Sequence, residues 1–301
     1  MRVLIAGASG LIGTELSRQL AAAGHTAVRL VRREPLGRNE FRWDPAALVL
    51  DPAVLDDIDA IVNLSGASLA RLPWTLPYRK EILRSRVQAT RTLTDALRHS
   101  AERPGVTPPA ILLNGSAVGI YGDRPGEKLT EQSAPGHDFL AEVVTAWERE
   151  AALAPEGTRV VNLRTGLVIA AGGALKPVLP LTKLGLAGPL GAGTQHWAWI
   201  SLHDEAAAIV HLLGSTLSGP VNLVGPTGAT ANDVLGALAQ ALNRPFRLAV
   251  PERILTLLLQ DAARQLLLAD QRVSSAMLVA DGFTFTHQTS TEAVDWMLAQ
   301  R

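Results

Sequence analysis

The sequence predicts an α/β protein with a doubly wound parallel sheet, followed by a smaller lobe and a helical tail. Three observations point there. Short apolar runs (3–6, 26–31, 59–64, 110–114 and 159–163) alternate with segments of helical periodicity (11–23, 77–99 and 139–153). Runs without polar alternation suit strands buried on both faces, as a parallel sheet covered by helices requires. The first run ends in three glycines, Gly7, Gly10 and Gly13, at the entry to a helix. The 301 residues suffice for one large α/β unit with an appendage.

Each element has its own signal. Val-Leu-Ile-Ala (3–6) is a buried strand that stops at Gly7, and Leu11 to Ala23 turns helical. Gly24-His25 closes that helix and opens a strand over Thr26 to Val31. Phe41-Arg42-Trp43 gives a third, short strand, and Asp59 to Leu64 a buried one ending at Ser65-Gly66. A long helix covers Pro77 to His99. Ala110 to Asn114 is the next strand, ending at Gly115-Ser116; Phe139 to Leu153 is helical and Arg159 to Leu163 a strand. From residue 166 the pattern loosens into Gly/Pro-rich stretches around Gly172-Gly173 and Gly185 to Gly193. Within them lie a helix over Asp204 to Leu213, a strand over Val221 to Val224 and a helix over Ala231 to Leu242. His203-Asp204 reads as the cap of the first of these helices, not as a metal site. The tail from Pro251 is mostly helical, with Leu255 to Leu259 and Leu266 to Leu268 as core-packing stripes. The division is 1–165 for a Rossmann-type domain, 166–249 for a lobe on the substrate side and 250–301 for a small helical domain.

Ligands in such sheets sit beyond the strand C-terminal ends. At the first of these ends, unpaired N–H groups and aligned dipoles gather at the helix start. The backbone of Gly7, Ser9, Gly10, Leu11, Ile12 and Gly13 is therefore expected to hold a pyrophosphate, the glycines admitting the phosphates. An acid at the end of the second strand would grip a ribose 2′-OH; this chain has Val31 followed by Arg32 and Arg33. Guanidinium groups pair bidentately with a 2′-phosphate, so the expected cofactor is NADP(H).

Composition removes other classes. Twenty-eight basic residues balance 28 acidic ones, which favours neither nucleic acid nor an anionic membrane. Without cysteine there are no disulfides, thiolate catalysis or Cys-ligated zinc. Met1-Arg2 runs directly into the first strand and no apolar run reaches spanning length, so a soluble, cytoplasmic protein is expected.

The N-terminal motif with Asn63-Leu64-Ser65-Gly66-Ala67 resembles the extended and atypical short-chain dehydrogenase/reductases of the epimerase/dehydratase branch. Lys80 to Arg86, Gly115-Ser116-Ala117-Val118-Gly119-Ile120-Tyr121-Gly122, and Gly188-Pro189-Leu190-Gly191 followed by Trp199-Ile200 resemble one subgroup. Its members end in a small domain of unknown function and carry names such as nucleoside-diphosphate-sugar epimerase or, in some bacteria, cell-division inhibitor. The resemblance implies that Leu64, Ser65 and Gly66 line the adenine side and cofactor floor. It further implies that Glu81 and Arg86 project from the long helix toward the cofactor, and that Ser116 lies near the nicotinamide. Asn63 reads as a buried, hydrogen-bonded structural residue.

Extended members normally carry Tyr-x-x-x-Lys on the helix after the Ser-bearing strand, where lysine lowers the tyrosine pKa for proton transfer. Here that stretch reads Phe139-Leu140-Ala141-Glu142-Val143, so the pair is absent. Ser116 and Tyr121 remain as catalytic candidates. His196-Trp197-Ala198 stands where nucleotide-sugar epimerases carry a diphosphate-binding arginine, which argues for a less charged substrate. Two functions follow: an NADP(H)-dependent oxidoreductase or epimerase-like enzyme for an unknown small molecule, or a non-catalytic NADPH-sensing module. The helices 77–99 and 139–153 form dimer bundles in related enzymes. The charges Glu142, Glu148, Arg149 and Glu150 on the second helix suit a monomer equally well.

Overall fold

A computed structural model describes residues 1–300. In chain order the strands are β1 (Arg2–Ala6), β2 (Thr26–Val31), β3 (Glu40–Arg42), β4 (Ala60–Asn63), β5 (Ile111–Ala117), β6 (Lys128–Leu129) and β7 (Arg159–Thr165). Six more follow: β8 (Leu167–Ile169), β9 (His196–Trp197), β10 (Trp199–Ser201), β11 (Gly219–Leu223), β12 (Ala229–Thr230) and β13 (Arg272–Val273). The helices are α1 (Leu11–Ala22), α2 (Leu76–Ala101), α3 (Phe139–Ala151), α4 (Val178–Lys183) and α5 (Leu202–Gly214). Then come α6 (Ala231–Ala241), α7 (Glu252–Leu259), α8 (Ala276–Ala280) and α9 (Ser290–Ala299).

Seven strands form one sheet in the order β11-β7-β5-β4-β1-β2-β3, and each neighbouring pair is parallel. This is the doubly wound α/β architecture that the apolar runs predict. The pleat of β1 explains its composition. Val3 and Ile5 enter a core shared with Leu16, Leu20, Ile209 and Leu212 of α1 and α5, while Leu4 enters another with Leu93 and Leu97 of α2. A third core, built on Trp197, Trp199, Val234, Leu238, Val294 and Met297, holds the smaller lobe.

Five of the helices, α2, α3, α5, α6 and α9, start at a side-chain cap. Thr75 Oγ1 accepts from Tyr78 N, Asp138 Oδ1 accepts from Ala141 N, and Thr230 with Asp233 forms a reciprocal capping box. For α5 the sequence reading needs correction. The cap is Ser201, and Asp204 is its third residue. The Asp204 carboxylate accepts from Ser201 Oγ and from the backbone of Thr286 and His287 (2.9, 2.8 and 3.0 Å).

Other boundaries move for identifiable reasons. The third strand is Glu40–Arg42, one residue earlier than expected. β5 runs to Ala117 because its pairing with β7 continues through Ser116↔Arg164 and Ala117↔Thr165, so Gly115 and Ser116 lie inside the strand and not after it. The leucine stripe of α7 is not core. Leu255 is buried, but Leu257 and Leu258 are 79% and 66% exposed. Nor is α3 charged only on its outer face. Glu150 turns inward to a bidentate pair with Arg91 (2.7 and 2.9 Å), and Glu148 points to Arg164.

Candidate nucleotide and catalytic site

The turn from β1 into α1 is shaped for close approach. Gly7 has φ +87°, and a Cβ there would lie 2.8 Å from the backbone of Leu64. A Cβ on Gly13 would lie 2.3 Å from the Gly7 carbonyl oxygen, so only glycine lets α1 pack onto its own turn. Gly10 caps α1 with no side-chain hydrogen bond, and no acidic residue occupies the first turn. Ser9, Gly10 and Leu11 are exposed, Ile12 half-buried. The helix start is thus an open, positively polarised cradle of N–H groups, fit for a pyrophosphate.

At the end of β2 the two arginines differ. Arg33 donates through Nη1 and Nη2 to the two Glu40 carboxylate oxygens (2.7 and 2.8 Å). That pairing, with a bond from Leu36 N, pulls the Glu40 carboxyl down to about 2. Arg32 is exposed and makes no side-chain hydrogen bond among the described residues. The expected paired-guanidinium grip therefore reduces to one uncommitted cation with a neutralised neighbour.

At the end of the neighbouring β4, Leu64 N donates to Ala6 O and Ser65 N to Asn63 Oδ1. Asn63 is fully buried and bonds Thr90 and Asn114 (both 2.9 Å), as a structural residue should. Gly66 faces the Arg86 side chain, where a Cβ would stand 3.1 Å from the guanidinium carbon. Arg86 lies 5.3 Å from the Trp147 ring centroid and donates to Ile82 O, with no carboxylate beside it. Burial without a counter-ion lowers its pKa to about 10. Glu81 is exposed and makes no side-chain hydrogen bond among the described residues; five residues from Arg86, it sits roughly 140° away around the helix. The structure does not bring those two together.

Both catalytic candidates are locked into a buried polar network. Ser116 Oγ donates to Glu148 Oε1 (2.6 Å), and Arg164 clamps that carboxylate through Nε and Nη2 (both 2.9 Å). Arg164 Nη1 also donates to the Tyr121 hydroxyl (3.0 Å), which donates to Asn222 Oδ1 (2.6 Å). The register explains the grouping: Ser116, Arg164 and Asn222 are side-by-side partners on β5, β7 and β11. Tyr121 is fully buried and burial raises its phenol pKa, the opposite of what a proton-transferring tyrosine needs. Ser116 is 4% exposed. Through these bonds the two hydroxyls link three strands and α3.

Where the Tyr-x-x-x-Lys pair would sit, the chain is apolar. Phe139 packs edge-on to Trp74 (centroids 5.8 Å), and the Arg79 guanidinium lies 4.2 Å from its ring centroid. Val143 is buried with Trp74, Ile82, Leu140 and Ala262.

Sequence reasoning missed three groups. Arg164 is signalled only by the alternation of polar residues at 162 and 164, as at 114 and 116, and Glu148 on α3 carries no such signal. Glu205 is fully buried on α5, accepts from Thr165 Oγ1 (2.7 Å) and leaves Oε2 without a partner; burial pushes its pKa up to about 8. The third is His196 with Asp270 (2.8 Å), residues 74 apart in sequence. Trp197 and Trp199 are buried lobe packing, their indole N–H groups donating to Leu267 O and Thr227 O. Among the described residues no three His, Cys, Asp or Glu side chains gather as a metal site, and no helix is long and apolar enough to cross a membrane.

Comparison with known proteins agrees with this geometry. Residues 3–225 match the NAD dependent epimerase/dehydratase family, and residues 250–297 match a domain of unknown function, DUF1731. The chain is 39% identical over 297 residues to epimerase family protein Mb2239 of Mycobacterium bovis, covering 98% of this chain and 96% of that protein. It is 32% identical over 291 residues to human epimerase family protein SDR39U1, covering 95% and 96%. A crystal structure of human SDR39U1 (isoform 2) with NADPH superposes with TM-score 0.91 at 29% identity, covering all of both chains. A nucleoside-diphosphate sugar epimerase from Corynebacterium glutamicum gives TM-score 0.80 at 31% identity, covering all of this chain and 58% of that one. With its open phosphate cradle, parallel sheet and C-terminal helical unit, the chain belongs to the NAD dependent epimerase/dehydratase family, among the SDR39U1-like members that carry DUF1731.

Proposed function

We propose that this protein binds NADP(H) and acts as an oxidoreductase or epimerase-like enzyme on a small, weakly charged molecule, without the Tyr-x-x-x-Lys pair. The observation that carries the reading is the glycine cradle at the head of α1 with Arg32, unpartnered among the described residues, at the end of β2. The NADPH held by the human relative supports the same cofactor. When bound, the cofactor supplies a hydride donor or acceptor. The protein's part is to hold the pyrophosphate on the α1 N–H groups, to meet the 2′-phosphate with Arg32 and to present Arg86 from the opposite wall.

The chain's own residues also favour a second reading, a cofactor-binding module that senses NADPH. Phe139 and Val143 are apolar and packed, and the Ser116 and Tyr121 hydroxyls are spent on structure. Calorimetry with NADPH and NADH, followed by reduced-nicotinamide absorbance with panels of uncharged carbonyl compounds, separates the readings. Tight NADPH binding with turnover supports the enzyme; tight binding without turnover supports the sensor. Heat from neither nucleotide overturns both.

A further inference from the structure

We propose that His196, oriented by Asp270, is the proton donor and acceptor that replaces the missing tyrosine, serving a small uncharged carbonyl or alcohol substrate. The inference rests on the enzyme reading above. A cavity of about 40 Å³ lies beyond the C-terminal ends of the central strands, between Val118 after β5 and Leu167 at the start of β8. Trp197, Leu266 and Ala269 close it, and His196 lines it. His196 also lines a second cavity, which Arg272 and Val273 border, so the imidazole stands in the wall between two spaces. Among the residues lining the two cavities, Arg272 is the other ionisable one.

The imidazole is held as a general acid–base is held. Its Nδ1 lies 2.8 Å from Asp270 Oδ1, and the His196 backbone N–H donates to the same oxygen (2.9 Å). Asp270 is fixed in turn: its N–H donates to Asp123 Oδ1 (2.8 Å), and its carbonyl accepts from Arg124 N (3.0 Å). Gln271 ties the same segment across the strand ends, donating to Gly122 O (2.9 Å) and Val118 O (3.3 Å). With Nδ1 engaged, Nε2 is the nitrogen left for substrate; it makes no hydrogen bond among the described residues. A carboxylate behind one ring nitrogen fixes the ring's orientation and leaves the other nitrogen for proton transfer.

In the reductive direction the substrate carbonyl carbon gains the hydride that the reduced nicotinamide gives up. The C=O π pair moves to oxygen, which takes the proton from Nε2 of the imidazolium. The products are the alcohol, the oxidised nicotinamide and neutral His196, which solvent reprotonates. The space has room for two or three water molecules, which suits a carbonyl group on a small body and not a sugar diphosphate.

The test compares wild type with His196→Gln and Asp270→Asn. Ring ¹⁵N NMR should show His196 Nδ1 hydrogen-bonded in wild type and released in Asp270→Asn. NADPH affinity should stay within twofold in all three proteins. Turnover on uncharged carbonyls should fall at least 100-fold in His196→Gln and about tenfold in Asp270→Asn. Full turnover by His196→Gln, or NADPH binding by wild type with no carbonyl reduced, overturns the inference and leaves the cofactor assignment standing. Failure of wild type to bind NADPH overturns the functional reading itself.

Discussion

The two ends of the cleft treat their polar groups in opposite ways. At the β1–α1 turn the donors are left open: among the described residues the α1 N–H groups have no side-chain cap and Arg32 has no side-chain partner. At the ends of β5 and β7 nearly every polar group is consumed, Ser116 by Glu148, Glu148 by Arg164, and Tyr121 by Arg164 and Asn222. A site that binds a ligand must hold unsatisfied donors ready, whereas a buried network is stable only when complete. One end therefore keeps its donors open, and the other closes its polar groups on one another. Substitutions should split accordingly into those that cost nucleotide affinity and those that cost stability.

Gly13→Ala should have the largest effect, because it strikes both. Its methyl would meet the Gly7 carbonyl at 2.3 Å, which neither α1 nor the turn can relieve without moving the phosphate donors. We expect NADPH affinity to fall at least about 100-fold by calorimetry, with roughly 3 kcal/mol lost on unfolding. Unchanged affinity would mean that the nucleotide does not use this turn.

Glu148→Gln probes the opposite end. It leaves the Arg164 guanidinium, 7% exposed, without its counter-ion. Breaking such a pair costs about 3–5 kcal/mol, so the thermal midpoint should drop by roughly 5–10 °C. NADPH affinity should change less than threefold. A variant of wild-type stability would show that the network is not what joins β5, β7 and α3.

Glu205 adds a pH-dependent term to the same packed region. Its folded pKa of about 8 lies above the ordinary glutamate value, so the folded state holds the proton more tightly than the unfolded chain. Stability from this group is whole at low pH and is lost as pH rises toward 8. Between pH 5 and pH 8 wild type should lose roughly 2–4 kcal/mol that Glu205→Gln keeps, measured as a widening gap between their thermal midpoints. Parallel pH curves would place an ionised, satisfied carboxylate at this position.

The same division explains how far the sequence could be read. The sheet, its flanking helices and the glycine turn were legible because each depends on local periodicity and on a φ or a close approach that only glycine supplies. Asn63 was legible for a similar reason, as a polar residue inside an apolar strand. Ser116 and Tyr121 were legible as candidates but not their partners, because hydroxyls near a strand end look alike whether they face a cleft or a neighbouring strand. Their partners, Glu148, Arg164 and Asn222, come from α3, β7 and β11, and only the register sets them side by side. His196 and Asp270 meet across the lobe and the tail, a pairing that no periodicity encodes.

The smallest effects lie at the end of β2, where two adjacent arginines make the sharpest contrast. Arg32→Ala should weaken NADPH binding about tenfold and leave NADH unchanged, since only the former carries the 2′-phosphate. Arg33→Ala should matter less than threefold, because Glu40 already occupies both of its guanidinium nitrogens. Glu40→Gln separates proximity from commitment. Without the carboxylate Arg33 is released and a nearby negative charge is gone, so NADPH affinity should rise about threefold relative to NADH. If Glu40→Gln leaves that preference unchanged while Arg33→Ala abolishes it, the ion pair yields on binding and the two arginines act together after all.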